Sequence, residues 1–365
     1  VRENHNGKGP FYIAEWYPAW FDTWGQPHHT VPYEQYLDRL DKVLAAGISI
    51  NMYMFHGGTT RGYMNGANYN DNLPYGPQVS SYDYDAPLDE AGNATPKFMK
   101  FREVIARHLP PGETLPEVPA KKAAIATPRV TFTRSSALFN ELPAPVKSVD
   151  PLTFERLQQA YGWVLYRTTI KGGRTVNLKI RELRDYGLVF VNGKRAAILD
   201  RRLRQDSTTL ALPEGNVQLD LLVENLGRIN FGPYLLKNNK GITEAVLVNG
   251  QALHHWQQFK LPFDAQPSLR GSGVIPGTPV LKEGSFTLTS TGDTYLDMTH
   301  WGKGVVWING HHLGRYWNRG PQQTLYVPGE WLRTGSNKVT VLELLKPETA
   351  VLEGIDHPIL DVLRQ

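Results

Sequence analysis

One glutamate stands out in this sequence because of the residues on either side of it. Glu15 lies between the apolar run FYIA and the stretch WYPAWFDTWG, which is dense in aromatic residues; all three fall within residues 11–29. A carboxylate in this position is either a buried acid that pairs with an arginine inside a sheet or a reactive group in a pocket. Aromatic faces suit the C–H faces of sugar rings and tyrosine hydroxyls suit sugar hydroxyls, so the reactive alternative would be carbohydrate chemistry.

A strand, a helix and a second strand would position Glu15. Residues 11–15 predict a short buried strand, and the following VPYEQYLDRLDKVLAAG has apolar residues at helical spacing and a stop at Gly47. Residues 48–55 predict another buried strand. This order is typical of a parallel α/β unit. Glu15 and Tyr53 would then lie at the same end of neighbouring strands, which is where α/β barrels carry their active sites.

The remaining sequence divides into a loop, a helix and a long β-region. Residues 57–87 are rich in Gly, Asn, Tyr and Pro without periodicity, and a loop of this length usually has a function. Residues 96–109 predict a second helix. From about residue 125, short strands separated by Gly, Asn and Pro turns favour β-sandwich or jelly-roll domains. Residues 186–197 and 303–314 repeat a strand, an Asn-Gly turn and a returning strand, which indicates two related β-domains.

The composition argues against several kinds of partner. The net charge of +4 comes from 39 basic and 35 acidic residues that are interspersed, so we expect no nucleic-acid partner. The short basic cluster Arg201-Arg202-Leu203-Arg204 is interpreted as a solvated strand edge. No apolar run is long enough for a membrane span, and the absence of cysteine excludes thiolate chemistry.

Several other conspicuous residues are interpreted as structural. Adjacent histidines on a strand point to opposite faces and cannot readily chelate one ion, so we expect no metal site. We also expect no cofactor. The tryptophans of the β-region are assigned to the core and the Asn-Gly pairs to turns; these are tryptophans 163, 256, 301, 307, 317 and 331, and the pairs at 65–66, 192–193, 249–250 and 309–310.

Long motifs in the sequence resemble those of glycoside hydrolase family 35, the β-galactosidases. AEWYPAWFDTWGQPH resembles the nucleophile segment that follows barrel strand seven in that family. NMYMFHGGTTRGYMNGAN resembles its strand-eight signature, and SYDYDAPLDEAG its loop that returns to the sugar. YGWVLYRTTI, LLVENLGRINFG and LGRYWNRGPQQTLYVP are similar to its C-terminal β-domain segments. The resemblance covers essentially the whole chain in the same order.

The resemblance implies a retaining exo-β-galactosidase that removes terminal β-linked galactose from oligo- or polysaccharides by double displacement. Position by position, it implies that Glu15 is the nucleophile, that Tyr53 and Tyr84 contact galactose, and that Trp20 helps to wall the pocket. Tyr53 is expected to hydrogen-bond Glu15 and to favour its charged form. The implied fold is multidomain, α/β plus all-β. The C-terminal strands of a (β/α)8 TIM barrel over residues 1–118 would precede β-sandwich or jelly-roll domains over 119–240 and 241–365.

The acid/base residue departs from the family pattern. In the family it is a glutamate on barrel strand four, whereas this sequence begins fourteen residues before Glu15. Glu3, in Glu3-Asn4-His5, resembles that motif only superficially and is too close to the expected strand seven. Two strands cannot close a barrel. We therefore expect the acid/base on an N-terminal barrel fragment that stays bound, and we expect no activity from the isolated chain.

Two other functions remain open on the sequence. A carbohydrate-binding or structural module would bind glycan through the β-domains and leave the barrel remnant inert. An exo-β-glucosaminidase would keep the enzyme and change the sugar. The linkage and the aglycone are not specified by these motifs. The basic pI and a glycan substrate favour a secreted or periplasmic protein.

Overall fold

The structure, a computed structural model, describes residues 7–364. Its first part contains β1 (Tyr12–Trp16), α1 (Glu34–Ala45), β2 (Ser49–Met52), β3 (Gly66–Asn70), β4 (Leu73–Pro77) and α2 (Pro96–Ala106). β1 and β2 pair in parallel as a two-stranded sheet, which confirms the predicted order of strand, helix and strand. The prediction that both strands are buried was wrong, because every residue of the two strands is exposed or half-buried in this two-stranded sheet. Gly47 follows the last turn of α1 with φ +66° and donates its N–H to the carbonyl of Leu44, the geometry in which glycine ends a helix.

The described residues after α2 are mostly β-structure, with three short 3₁₀ turns and no α-helix. The first group of strands is β5 (Thr131–Ala137), β6 (Val146–Ser148), β7 (Trp163–Lys171), β8 (Arg174–Ile180), β9 (Leu183–Arg184), β10 (Tyr186–Val191), β11 (Lys194–Asp200), β12 (Ser207–Leu212), β13 (Asn216–Glu224), β14 (Arg228–Ile229), β15 (Gly241–Ile242), β16 (Val246–Val248), β17 (Gln251–Ala252) and β18 (Trp256–Leu261). The second group is β19 (Val280–Leu288), β20 (Thr294–Asp297), β21 (Lys303–Ile308), β22 (His311–Trp317), β23 (Thr324–Val327), β24 (Gly335–Glu343) and β25 (Gly354–Ile355).

Four sheets stack as two sandwiches. In the first sandwich, β11-β10-β13-β7-β18-β6 packs on β12-β8-β16-β17. In the second, β22-β21-β24-β19-β5 packs on β23-β20-β25. The two larger sheets also face each other across a shared core that contains Trp163 and Trp307. Both faces of β21 are therefore covered, and its successive residues Val305 and Val306 enter different cores.

The two larger sheets repeat one topology, as the internal sequence repeat predicts. The order β11-β10-β13-β7 matches β22-β21-β24-β19. In each sheet an Asn-Gly turn joins the first two strands, with φ +49° at both Asn192 and Asn309. Each asparagine side-chain oxygen accepts a backbone N–H of the neighbouring strand, from Gln218 at 2.8 Å and from Lys338 at 2.9 Å. The assignment of these two Asn-Gly pairs to turns is confirmed.

The chain does not divide between the sandwiches at the expected residues. β5 pairs with β19 in the second sandwich, although it precedes the first sandwich in sequence. β16 and β18 follow residue 240 and yet pair with β8 and β7 of the first. The expected division at residue 240 therefore does not coincide with the observed sheets, since strands on both sides of it belong to the first sandwich. The region expected to form the first β-domain also contains β5, a strand of the second.

Three predictions about irregular segments were wrong. The expected loop 57–87 contains the hairpin β3–β4, and β3 also pairs in parallel with β14. Asn65 is buried and donates to the carbonyls of Gln78 and Leu226. Arg201 and Arg202 are mostly buried and lie 2.7 Å and 2.6 Å from the carboxylates of Asp185 and Asp200. Contacts with distant segments replace the solvent that the local sequence suggests: β3 pairs with β14, Asn65 donates to Leu226, and Arg202 donates to the carbonyl of Trp24.

A buried ion cluster joins the three parts of the chain. Glu224 of the first sandwich lies 2.9 Å from Lys303 Nζ and 3.2 Å from Arg315 Nε of the second. Arg315 also donates to the side-chain oxygen of Asn65 and, at 2.7 Å, to the backbone carbonyl of Asn225. One carboxylate thus balances two buried cations, and the segment that carries Asn65 is held against both sandwiches.

Candidate active site

The parallel pairing of β1 and β2 determines where Glu15 and Tyr53 lie. Tyr12 lies opposite Ser49 and Trp16 opposite Met52, so Glu15 and Tyr53 are at the same edge of the sheet. The N–H of Tyr53 donates to the carbonyl of Trp16 at 2.9 Å. The Trp16 ring packs on Phe101 of α2, and its neighbour Glu15 is exposed. Successive strand residues point to opposite faces, which places the carboxylate on the side away from the helices.

The predicted residues Glu15, Trp20, Tyr53 and Tyr84 line one cavity of about 550 Å³. This volume is in the range of small-molecule sites. Aromatic rings form a continuous wall, with centroid distances of 5.7 Å from Tyr17 to Tyr53, 6.0 Å from Tyr53 to Tyr84 and 6.2 Å from Trp20 to Tyr84. Phe21 and Tyr82 extend the wall. A carboxylate therefore faces a cavity of the size and surface that suit a sugar ring.

Tyr17 makes the hydrogen bond to Glu15 that was expected from Tyr53. The Tyr17 hydroxyl donates to Oε2 of Glu15. Side chains two residues apart point to the same side of an extended chain, and this spacing is the signal that could have identified Tyr17. The bond to the carboxylate raises the pKa of Tyr17, so the phenol remains a donor. Tyr53 instead contributes its ring to the wall.

Tyr84 occupies a constrained position in the loop after β4. Tyr84 and Asp85 have φ +66° and +50°, a left-handed conformation that non-glycine residues rarely adopt. Lys97 of α2 supports this conformation, since its Nζ lies 2.6 Å from both the carbonyl and the carboxylate of Asp85 and 3.3 Å from the carbonyl of Pro18. One buried ammonium group thereby ties the Tyr84 loop to the loop after Glu15.

The Tyr84 hydroxyl is available to a ligand. It is buried, and it has no hydrogen-bond partner among the described residues. Burial raises the pKa of this phenol, so it stays protonated. A buried hydroxyl without a partner is costly, and a sugar hydroxyl in the cavity would satisfy it.

A buried acid, Glu90, supports the same loop from behind. Its carboxyl oxygens accept from the hydroxyls of Thr59 at 2.5 Å and Ser81 at 2.8 Å. Burial raises the pKa of Glu90 to about 7, against the smaller opposing effects of these hydrogen bonds and of Arg61. Arg61 in turn donates to the carbonyl of Tyr326 in the second sandwich at 2.6 Å. The Tyr84 loop is thus linked to the second sandwich through Glu90 and Arg61, and the pKa of Glu90 lies near neutrality.

The first sandwich also contributes to the cavity, which the sequence reasoning missed. Asn230 and Phe231, directly after β14, lie on its rim, and the Phe231 side chain is 80% exposed. The pairing of β14 with β3 brings them there. The sequence contains this segment as LLVENLGRINFG, but nothing in its local pattern indicates a pairing with a hairpin more than 150 residues earlier.

Residues 7–364 contain no group of three or more His, Asp or Glu side chains that could hold a metal ion. No helix in this range has both the length and the apolar character that a bilayer crossing requires. Glu3, the weak acid/base candidate, lies outside the described residues.

Comparison with known families finds three models in sequence order. Residues 1–108 match glycosyl hydrolases family 35. Residues 151–262 match the first all-beta domain of beta-galactosidase, and residues 279–337 match its galactose-binding domain.

Curated relatives match over nearly the whole chain. A beta-galactosidase of Xanthomonas manihotis is 41% identical over 91% of this chain and 55% of its own length. A beta-galactosidase of Mus musculus is 37% identical over 99% of this chain and 61% of its own length. The beta-galactosidase-1-like protein 2 of Homo sapiens is 38% identical over 93% of this chain and 55% of its own length. The chain spans somewhat more than half the length of these relatives. It belongs to glycosyl hydrolases family 35.

Proposed function

We propose that this chain is part of a retaining exo-β-galactosidase in which Glu15 is the nucleophile. The observation that carries the proposal is the placement of Glu15, at the end of a parallel strand and facing a cavity walled by aromatic rings. The family and its β-galactosidase relatives support galactose as the sugar. Much of the cavity wall comes from the segment 57–87, which supports action on a terminal residue; its lining residues are Asn68, Tyr69, Asn70, Leu73, Tyr82 and Tyr84.

The proposed reaction has two steps. In the first, Glu15 attacks the anomeric carbon and a second carboxylic acid protonates the leaving oxygen, which breaks the glycosidic bond and forms a galactosyl ester of Glu15. In the second step, the second residue, now a carboxylate, takes a proton from water. The water oxygen attacks the anomeric carbon, displaces Glu15 and releases galactose. The two carboxyl groups of retaining enzymes stand about 5–5.5 Å apart. Tyr17 would hold the Glu15 carboxylate in place, while Tyr84 would donate to a sugar hydroxyl.

We propose that the second carboxylic acid comes from an N-terminal portion of a TIM barrel outside residues 7–364. The proposal rests on the resemblance to the family and on the two-stranded parallel sheet that holds Glu15. The relatives are long enough to carry such a portion. Its acid would approach from the open side of the cavity.

The test is covalent trapping of the nucleophile in the longest available form of the enzyme. A 2-fluorogalactoside should label the peptide that contains Glu15, and Glu15→Gln should lower the hydrolysis of a nitrophenyl β-galactoside by at least about 10³-fold. Glu34→Gln, on the exposed start of α1, is the matched control and should change neither readout. Residues 1–365 alone should show no turnover. A label on any other residue, or turnover by the isolated chain, would contradict the proposal.

The same assays separate the alternative functions. Galactose binding without labelling or turnover, even with the barrel portion present, would favour a carbohydrate-binding module. Faster hydrolysis of a nitrophenyl glucosaminide than of the matched galactoside would change the sugar and keep the mechanism.

A further inference from the structure

A second cavity lies next to the one that contains Glu15. It has a volume of about 420 Å³, and its wall includes Tyr69, Arg184, Arg201, Arg204, Tyr234 and Lys237. The rings of Tyr69 and Tyr234 meet edge to face with centroids 4.9 Å apart. The cavity therefore combines aromatic surface with four basic side chains, two of which belong to the segment that the sequence suggested was a solvated strand edge.

Two acidic residues, Glu182 and Asp206, also line the cavity, but they do not balance its four basic side chains. Glu182 pairs with Arg184 at 2.7 Å, and Asp206 pairs with Lys179 at 3.3 Å. In the part of the chain that the structure describes, Arg204 and Lys237 have no carboxylate within ion-pair distance.

A buried ion group behind the wall leaves the charge of Arg201 uncancelled, because Lys240 offsets the carboxylate of Asp185. Asp185 lies 2.7 Å from both Arg201 and Lys240, so a single carboxylate serves two cations. The Arg201 guanidinium is held over the ring of Tyr75 at 4.3 Å. This arrangement fixes its position, and the cavity has a preformed basic wall with two unpaired, exposed cations at its rim.

The two cavities share a boundary. Tyr69 lines both of them. The segment after β14 also contributes to both, with Ile229 in the basic cavity and Asn230 and Phe231 at the cavity of Glu15. A saccharide that occupied both cavities would pass Tyr69 and the segment after β14.

We propose that the basic cavity binds an anionic saccharide, through either a carboxylate or a sulfate group. Arginine recognises both groups through charge-assisted hydrogen bonds, and the tyrosine rings supply a surface for the sugar. As an extension that rests on the proposed function, the bound group belongs to the part of a galactoside that lies beyond the cleaved bond. The enzyme would then prefer galactosides that carry an acidic residue a short distance from the terminal galactose.

Direct binding to the Glu15→Gln variant, in the longest available form of the enzyme, tests the site without turnover. Calorimetric titrations would compare trigalacturonate, a sulfated galactotriose and neutral galactotriose. We expect at least one acidic trisaccharide to bind about tenfold or more tightly than the neutral one, and we expect added NaCl to weaken that binding. The two acidic probes distinguish a carboxylate site from a sulfate site.

Variants locate the binding. Arg204→Gln combined with Lys237→Gln should remove most of the preference for the acidic trisaccharide, by about tenfold or more. Lys171→Gln combined with Arg174→Gln, on exposed positions at the β7–β8 turn, removes the same charge elsewhere and should leave the preference intact. Both double variants should keep the melting temperature of the parent. Equal affinity for acidic and neutral probes, or a preference that survives loss of Arg204 and Lys237, would overturn the proposal. Neither result would affect the assignment of Glu15.

Discussion

At the scale of single residues, two tyrosine hydroxyls of the site differ in their hydrogen bonding. Tyr17 donates to Glu15, whereas the Tyr84 hydroxyl has no partner among residues 7–364. The two phenols therefore have different roles under the proposed mechanism. Tyr17 orients the nucleophile before substrate arrives, and Tyr84 gains its hydrogen bond only when a sugar enters.

Tyr17→Phe should slow the enzyme without preventing its folding. The change removes one charge-assisted hydrogen bond to Glu15 and keeps the ring that packs on Trp20. We expect kcat/KM for a nitrophenyl galactoside to fall about tenfold or more, with the loss mainly in kcat. Tyr12→Phe is the matched control, because Tyr12 lies on β1, the strand that carries Glu15, and is 60% exposed. An unchanged kcat in Tyr17→Phe would show that Glu15 needs no such donor.

At the scale of elements, the loop that carries Tyr82 and Tyr84 rests on a buried acid. The pKa of Glu90 is raised to about 7, above that of an ordinary carboxyl. The native protein therefore holds a proton that the unfolded chain has already lost. The stabilising effect is complete below the usual carboxyl pKa and is lost as the pH rises through about 7.

Glu90→Gln should make the stability less dependent on pH. The parent should lose up to about 3 kcal/mol of unfolding free energy between pH 4.5 and 7.5 from this group, because each unit of pKa shift corresponds to about 1.4 kcal/mol. The variant keeps a neutral side chain of similar shape and should lack this loss. Melting temperatures of parent and variant, measured from pH 4.5 to 7.5, would show this difference. Glu113→Gln, at an exposed position, is the control and should follow the parent. Parallel pH curves for parent and Glu90→Gln would contradict the assignment.

The elements differ in how far the sequence alone could predict them. Local signals were sufficient for α1, for the parallel strands β1 and β2, and for the turns at Asn192 and Asn309. The same Asn-Gly pair at Asn65 is buried, because Arg315, 250 residues away, donates to its side chain. Phe231 reaches the site for a similar reason, through a strand pairing that no short window of sequence contains. Local chemistry thus predicted the groups around Glu15, and distant pairing supplied the rest.

At the scale of the whole molecule, the β-domains support the site as well as adjoin it. The cluster of Glu224, Lys303 and Arg315 joins the two sandwiches, and Asn65 attaches the site segment to it. A carboxylate shared by two buried cations contributes little net energy when intact, but its loss leaves both cations unpaired. The junction therefore couples the stability of the parts.

Glu224→Gln should destabilise the whole chain. We expect a loss of about 3–5 kcal/mol in unfolding free energy, the usual cost of breaking a buried ion pair. Guanidinium unfolding followed by fluorescence should show a lower midpoint, and the sandwiches should begin to unfold in separate steps. Glu244→Gln removes a partner from the exposed pair with Arg181 and should cost at most about 1 kcal/mol. A midpoint that Glu224→Gln leaves unchanged would show that the cores alone hold the parts together.

The position of β5 has a consequence for how the chain is made. During synthesis β5 emerges before the strands of the first sandwich, whereas its partner β19 emerges only after all of them. In the folded chain Val280 of β19 lies opposite Ala137 of β5. The second sandwich is thus closed around the first, as a host domain is closed around an insertion. No single cut in the chain separates the two, since any cut between them leaves β5 without its partner. The first sandwich can form its sheets before synthesis of the chain is finished, whereas the second needs the C-terminal strands. Until β19 is synthesised, β5 is a strand without its pairing partner.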